Sequence, residues 1–186
     1  MPKTRLRTLL FGSVLLPTLA LSGVHIAHAA TGVFQNPTAA QNHDAAVQFV
    51  AVIGARAALL GVKENAVEQG KLAMRQNYPK YDPQFIEEWG KRSLARYNVD
   101  DYLKVIVGVY EKYFTTEELN ELSAASKAPG GIAGAKLAQP LRDKLAANTT
   151  SIQSEIIGGC TQVGAKLGGE IGIEIGKEHP EWIKPN

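Results

Sequence analysis

Apolar residues recur every three or four positions through most of the chain, which is the spacing of an amphipathic α-helix. The first apolar segment predicts a helix over 45–60 that Gly61 ends, and a more polar helix is predicted over 62–76. Residues 171–175 alternate apolar and polar side chains, as a strand does. Helix-forming residues precede them without a turn, so a helix is predicted there as well.

Asp82 and Pro83 mark the start of a third predicted helix. An acidic N-cap followed by proline at the first helical position is a strong start signal. This helix is predicted to reach about Tyr97, and a fourth is predicted over 101–113. The pattern up to this point is therefore entirely helical.

The clearest helix start lies at Thr115. Thr115 and Glu118 match a capping box, in which the hydroxyl accepts a hydrogen bond from the Glu118 N–H and the carboxylate accepts one from the Thr115 N–H. Phe114 and Leu119 occupy the two positions of a hydrophobic staple. The helix that begins here is predicted to stop at Pro129-Gly130-Gly131.

Helical composition resumes after this break. The segment 132–148 is predicted to be helical but kinked or interrupted at Pro140, because the proline ring removes a backbone N–H and clashes one turn back. Asn148-Thr149-Thr150 is predicted to form a turn and the N-cap of a last helix over 150–177.

Seven glycines lie in this last predicted helix, and each costs about 1 kcal/mol relative to alanine. Four of them are spaced by four residues and form a ridge without side chains, next to a ridge of larger apolar residues. Such a surface favours close helix packing, within the domain or against a partner, while Lys166, Glu170 and Glu174 are expected on the far, solvated side. The predicted packing or interaction face consists of Gly164, Gly168, Gly172, Gly176, Leu167, Ile171 and Ile175.

The first 29 residues have the pattern of a secretory signal peptide. Lys3, Arg5 and Arg7 precede an apolar run, and Ala27-His28-Ala29 is a small-x-small cleavage site. We expect residues 1–29 to be removed, the protein to reach the periplasm or the medium, and no stable membrane span to remain. The alternative is an uncleaved membrane anchor.

The rest of the chain is predicted to be one all-α domain, a helical bundle of about six or seven helices over 43–178. A flexible segment over 30–42 precedes it, and a C-terminal tail over 179–186 follows it. One ordinary domain has this size.

Net charge changes when the signal peptide is removed. The whole chain carries 20 basic and 18 acidic residues, and the signal peptide holds three of the basic ones, which leaves a formal charge of −1. Without a basic excess, neither nucleic acid nor an anionic membrane surface is an expected partner. Cys160 is the only cysteine, so no intramolecular disulfide can form, and it is predicted to be a small buried apolar residue.

Side chains able to do chemistry are scattered. His43 and His179 are the two histidines after the signal peptide, and neither has a metal-ligand spacing. The nucleophile-elbow and phosphate-loop motifs are absent, and the adjacent carboxylates Glu87-Glu88 point apart on a helix. The sequence therefore predicts no enzyme, no cofactor and no metal site.

A longer motif surrounds Thr115. It consists of Val107, Tyr110, Phe114, Thr115, Glu117, Glu118, Leu119, Ala128, Pro129, Gly130, Gly131, Lys136, Leu137 and Pro140. This motif resembles that of the domain of unknown function 2059 family, which contains secreted, mostly periplasmic helical proteins of Gram-negative bacteria. The likeness covers roughly Leu103 to Ile175, including the glycines of the terminal helix. It implies an exported all-helical protein, and because the family has no established catalytic residues, none is carried over.

Three functions stay open at this point. The first is a non-catalytic envelope protein that acts through helix contacts with a protein partner or with a second copy. The second is a small-molecule or lipid-binding protein with a cleft between its apolar helices. The third is a hydrolase whose residues, His43 among them, converge only in space. An exposed apolar patch would favour the interaction protein, and a large buried apolar cavity would favour the ligand-binding protein. A cluster of a histidine, a carboxylate and a nucleophile would favour the hydrolase.

Overall fold

The computed structural model describes residues 38–184, and over this range it confirms the predicted all-α domain. The predicted signal peptide and residues 30–37 lie outside the described residues. A 3-10 turn, Pro180–Trp182, and an isolated antiparallel bridge between Tyr81 and Ile183 complete the fold. The seven α-helices are α1 Ala39–Val52, α2 Ala55–Asn77, α3 Pro83–Arg96, α4 Val99–Tyr113, α5 Thr116–Lys127, α6 Gly131–Gly134 and α7 Gln139–Glu178.

The first helices differ from the prediction. Helix α1 begins at Ala39, inside the segment predicted to be flexible, because Thr38 and Gln41 form a capping box. The chain bends at Gly54, whose φ of 73° lies in the left-handed region that favours glycine. Gly61, the predicted helix end, lies instead inside α2.

The predicted helix starts at Asp82 and Thr115 are confirmed. The Asp82 carboxylate accepts a hydrogen bond from the Gln84 N–H at 2.9 Å. Thr115 Oγ1 accepts one from the Glu118 N–H, and the Glu118 carboxylate accepts one from the Thr115 N–H at 2.8 Å. The staple residues Phe114 and Leu119 are both buried, so the junction of α4 and α5 is part of the core.

Helix α7 is longer than predicted. The interruption predicted near Pro140 is confirmed, because α6 ends at Gly134 and α7 begins at Gln139. Pro140 lies in the first turn of α7, where a missing N–H breaks no helical hydrogen bond. The predicted turn at 148–150 is wrong, and the helix runs unbroken for 40 residues. Asn148 Nδ2 and Thr149 Oγ1 donate to the carbonyls of Lys144 and Leu145, which keeps both polar side chains satisfied within the helix.

Two clusters of buried side chains form the core. The larger lies between α1, α4, α5 and the first half of α7, and includes Phe49, Ile106, Leu119, Leu122 and Ile152. The smaller lies between α3 and the last turns of α7. Its fully buried members are Phe85, Ile171 and Ile175.

Removing the α5 cap tests this corner of the fold. We expect Thr115→Ala to lower the free energy of unfolding by about 0.5–2 kcal/mol, because an orphan helix N–H loses its acceptor. Phe114→Ala should cost about 3–5 kcal/mol, because it empties a buried site. Thr161→Ala, at an exposed position inside α7, is the control, and urea melts give the values. If Thr115→Ala and Thr161→Ala unfold at the same urea concentration, the cap contributes nothing.

Candidate functional site

The glycine ridge of α7 faces other parts of the same chain. A Cβ atom built on Gly168 would lie 2.9 Å from Trp89 Cζ2 of α3, closer than real side chains approach. A Cβ atom on Gly164 would lie 3.6 Å from the Tyr102 hydroxyl of α4, which is ordinary contact. The first half of the ridge therefore packs on α3 and α4.

The second half of the ridge meets Phe85 and the C-terminal tail. A Cβ atom on Gly172 would lie 4.0 Å from Phe85 Cζ, and one on Gly176 would lie 3.1 Å from Ile183 Cδ1. The neighbouring ridge lies in the same smaller cluster, since Ile171 and Ile175 are fully buried. Leu167 is packed against this cluster. All seven residues of the predicted face thus lie against other parts of the same chain.

Trp89 lies between glycines of two different helices. A Cβ atom on Gly70 of α2 would lie 2.7 Å from Trp89 Cη2, and Gly168 of α7 closes the other side of the ring. The indole N–H donates to the Gly168 carbonyl at 2.9 Å. No local pattern in the sequence could reveal this contact, because the two glycines lie 19 residues before Trp89 and 79 residues after it.

Charged pairs between α3 and α7 lie beside this aromatic contact. The prediction that Glu170 and Glu174 lie on the far side of α7 is wrong. These carboxylates lie beside α3, where Arg96 is 2.7 Å from Glu174 and 3.5 Å from Glu170. Arg92 binds both carboxylate oxygens of Glu178, at 2.6 and 3.0 Å, and this guanidinium lowers the pKa of Glu178. The pairs are substantially exposed, so they orient α3 on α7 more than they stabilise it.

The histidines do not form a catalytic cluster. His43 Nδ1 lies 2.7 Å from Glu111 Oε1, but within residues 38–184 no hydroxyl or thiol is hydrogen-bonded to the His43 ring. Nucleophilic catalysis needs such a group next to the base. His179, the other histidine after the predicted signal peptide, stacks on Trp182 with a 3.8 Å centroid separation and is hydrogen-bonded to Glu181.

The clefts on the surface of residues 38–184 include the following two. One, of about 420 Å³, lies at the start of α1 and α5 and is lined by Asn42, Glu111, Lys144 and other polar residues. The second, of about 540 Å³, lies between α2 and α3 beside Lys71. Both are open to solvent, unlike the enclosed apolar cavities that bind lipids.

Lys71 is the one buried cation in the second cleft. Its stem crosses Gly90, where an added Cβ would lie 2.7 Å from Lys71 Cδ. Its Nζ donates to Glu87 at 2.6 Å and to Glu68 at 3.0 Å. These two carboxylates raise the pKa of Lys71, so it remains an ammonium group and is a poor nucleophile or base.

Metal-binding and thiol chemistry also lack a site in the described part of the chain. No group of three or more His, Cys, Asp or Glu side chains in it could hold a metal ion. Cys160 is half-buried against the larger cluster, and burial raises its pKa, which disfavours the reactive thiolate.

Exposed apolar side chains cluster along the chain near the junction of α1 and α2. Val47, Ile53, Leu60 and Val62 lie within one short stretch of sequence and keep 39–48% of their surface in solvent, and we call this region the α1–α2 corner. Around Leu60, exposed Ala57 and Gly61 share one side of α2, and a Cβ atom on Gly61 would meet open space. Apolar spacing alone does not reveal this region, because it predicts a helix over 45–60 without indicating which of its apolar residues stay exposed.

The length and apolar character of the helices bear on whether one of them could cross a membrane. Between residues 38 and 184, no individual helix combines the length and the apolar character needed to cross a bilayer. Only α1 and α2 taken together, across a bend of 60°, pass by length and composition.

Comparisons with known proteins leave the family open. No family model, no curated protein and no solved structure matches this chain. The resemblance to the domain of unknown function 2059 family stays a prediction. The surfaces of the chain itself are therefore the basis for inferring its function.

Two adjacent glycines of α7 give a matched test of the ridge. Gly168→Ala places a methyl group 2.9 Å from the Trp89 ring, and we expect it to destabilise the fold by about 1–3 kcal/mol, as overpacking does. Gly169→Ala meets nothing within 4 Å, so it should stabilise α7 by about 1 kcal/mol. Denaturant melts of both variants show whether each substitution raises or lowers the free energy of unfolding. Stabilisation by Gly168→Ala would show that the ring does not pack on this ridge.

Proposed function

We propose that this chain is a non-catalytic interaction protein of the bacterial envelope that binds a protein partner through the α1–α2 corner. One observation carries the proposal: among residues 38–184, four of the eight large apolar side chains that stay exposed lie between positions 47 and 62. Apolar surface that is exposed and concentrated marks a contact site more often than scattered apolar residues do.

The charges around the corner favour a protein partner. Arg56 of α2 pairs with Asp100 of α4, and exposed Glu64 follows one helical turn after Leu60. An apolar centre with mixed charges at its edge is the usual anatomy of a protein–protein interface. Surfaces that bind anionic lipid instead combine apolar residues with an excess of lysine and arginine.

The other two functions have less support. A lipid or small apolar ligand would need an enclosed cavity, and the two clefts are open and partly lined by charged side chains. A hydrolase would need a nucleophile beside His43, whose hydrogen-bonded neighbour is the Glu111 carboxylate. The corner is therefore the surface that best accounts for a function.

Export and family membership are parts of the same proposal. The basic n-region, apolar run and Ala27-His28-Ala29 site support export, and the motif around Thr115 supports membership of the domain of unknown function 2059 family. We expect intact-mass measurement of the exported protein to give a first residue at Ala30 or within a few positions of it. Exported material that begins at Met1 would contradict signal-peptide cleavage.

Photo-crosslinking tests the corner directly. A photoreactive amino acid at Val62 should give a discrete protein adduct in intact cells. Leu60→Glu in the same chain should remove most of that adduct, because it places a charge in the apolar centre. Ile173→Glu, at an exposed isoleucine on α7, should leave the adduct unchanged.

Two results would contradict the proposal. One is an adduct at Val62 that is insensitive to Leu60→Glu while the variant keeps its thermal stability. The other is equal adduct yield from a photoreactive residue at Ile173, outside the corner. The mass of the adduct also distinguishes a second copy from a different partner.

A further inference from the structure

The C-terminal segment forms a strap across the start of α3. We call residues 179–184 the tail strap. Helix α7 ends at Glu178, and the chain then turns back so that Ile183 bridges Tyr81 in antiparallel fashion. The Asp82 N–H donates to the Trp182 carbonyl at 2.8 Å, and the Lys184 N–H donates to the Lys80 carbonyl at 2.9 Å. The strap is thus held by its backbone, as an added strand is.

Two side chains of the strap cover an apolar groove. Trp182 and Ile183 pack against the smaller cluster, whose fully buried residues Phe85, Ile171 and Ile175 form the floor. Gly176 of α7 makes the seat for Ile183, since a Cβ atom there would lie 3.1 Å from Ile183 Cδ1. The groove therefore has a specific place for a branched aliphatic side chain.

The cover is held less firmly than the floor. The floor residues expose 0–1% of their surface, whereas every residue of the strap is partly or fully exposed. Segments with few buried side chains open locally at a small fraction of the global unfolding free energy. When the strap leaves, the unpaired backbone of residues 80–82 and the apolar floor become available together.

We propose that the groove beneath the tail strap is a binding site for an extended segment of another protein that carries an aromatic residue followed by a branched aliphatic one. The chain's own tail shows the chemistry of the fit: backbone hydrogen bonds to residues 80 and 82, and an aliphatic side chain over Gly176. Such a segment displaces the strap, which acts as a cover. The site is independent of the α1–α2 corner.

Competition with the strap sets the affinity. A segment from another molecule binds only the fraction of molecules whose own strap is undocked. Its apparent association constant is therefore the intrinsic constant multiplied by that fraction. Weakening the strap without changing the groove must then strengthen binding of the outside segment. A tail that only stabilises the fold would show no such gain.

Peptide binding to the full chain tests this competition. The probe is a fluorescently labelled peptide with the sequence of residues 179–186, His-Pro-Glu-Trp-Ile-Lys-Pro-Asn. We expect the Ile183→Asp protein to bind it at least about tenfold more tightly than the wild type, the factor for a strap docked about nine-tenths of the time. The same peptide with aspartate in place of isoleucine should not bind. Gly176→Leu, combined with Ile183→Asp, should abolish binding by filling the seat.

Equal binding to wild type and Ile183→Asp, or none to either folded protein, would overturn the proposal.

Hydrogen exchange of the wild type tests the proposal if Ile183→Asp does not fold. The Asp82 and Lys184 amides should exchange at least about a hundredfold faster than those of Ile171 and Ile175, because the strap opens locally. Equally slow exchange would mean that the strap leaves only on global unfolding, and would overturn the proposal. A dimer of the wild type that Ile183→Asp loses would support it and identify the segment as the tail of a second copy.

Discussion

The packing of Trp89 between two glycines is the contact on which the second half of the fold depends. Three helices meet on one indole ring: α3 carries it, α2 contributes Gly70, and α7 contributes Gly168. Each glycine costs its helix about 1 kcal/mol, and burial of a large aromatic side chain offsets a cost of that size. The ring's N–H is satisfied by the Gly168 carbonyl, which a side chain at that position would push away. Close contact therefore accounts for Gly168 and Gly176 of the ridge, whereas Gly164 and Gly172 make only ordinary contacts.

Helix α7 joins two cores that otherwise share little. Its first half supplies Leu141 and Ile152 to the larger cluster, and its last turns supply Ile171 and Ile175 to the smaller. The arginine–glutamate pairs at Arg92 and Arg96 then fix the orientation of α3 along it. The two surfaces proposed to bind partners, the α1–α2 corner and the tail strap, lie at the margins of these clusters. Less stable margins of this kind often carry contact surfaces. The two proposals therefore place binding away from the buried residues that stabilise the fold.

Local signals in the sequence predicted the helix starts at Asp82 and Thr115, because capping needs only a few neighbouring residues. Helix ends were predicted less well. Gly61 and Gly54 are both followed by helix-forming residues, so the local sequence does not say which one bends the chain, and the structure places the bend at Gly54. The hydrogen bond between His43 and Glu111 joins residues 68 positions apart, and no periodic pattern could reveal it. The ridge of α7 was predicted from its spacing, but the residues that pack on it, Trp89 and Ile183, are evident only in the tertiary structure.

The position of α7 in the fold has a consequence for how fast the chain folds. The helix that completes both clusters spans residues 139–178 and packs on residues far away in the sequence. Trp89 is 79 positions from Gly168, and Arg92 is 86 positions from Glu178. Contacts between residues so distant form only after a long loop has closed, which makes folding slower than in bundles held together by neighbouring helices. We therefore expect the single helices to form quickly and the two clusters to close late.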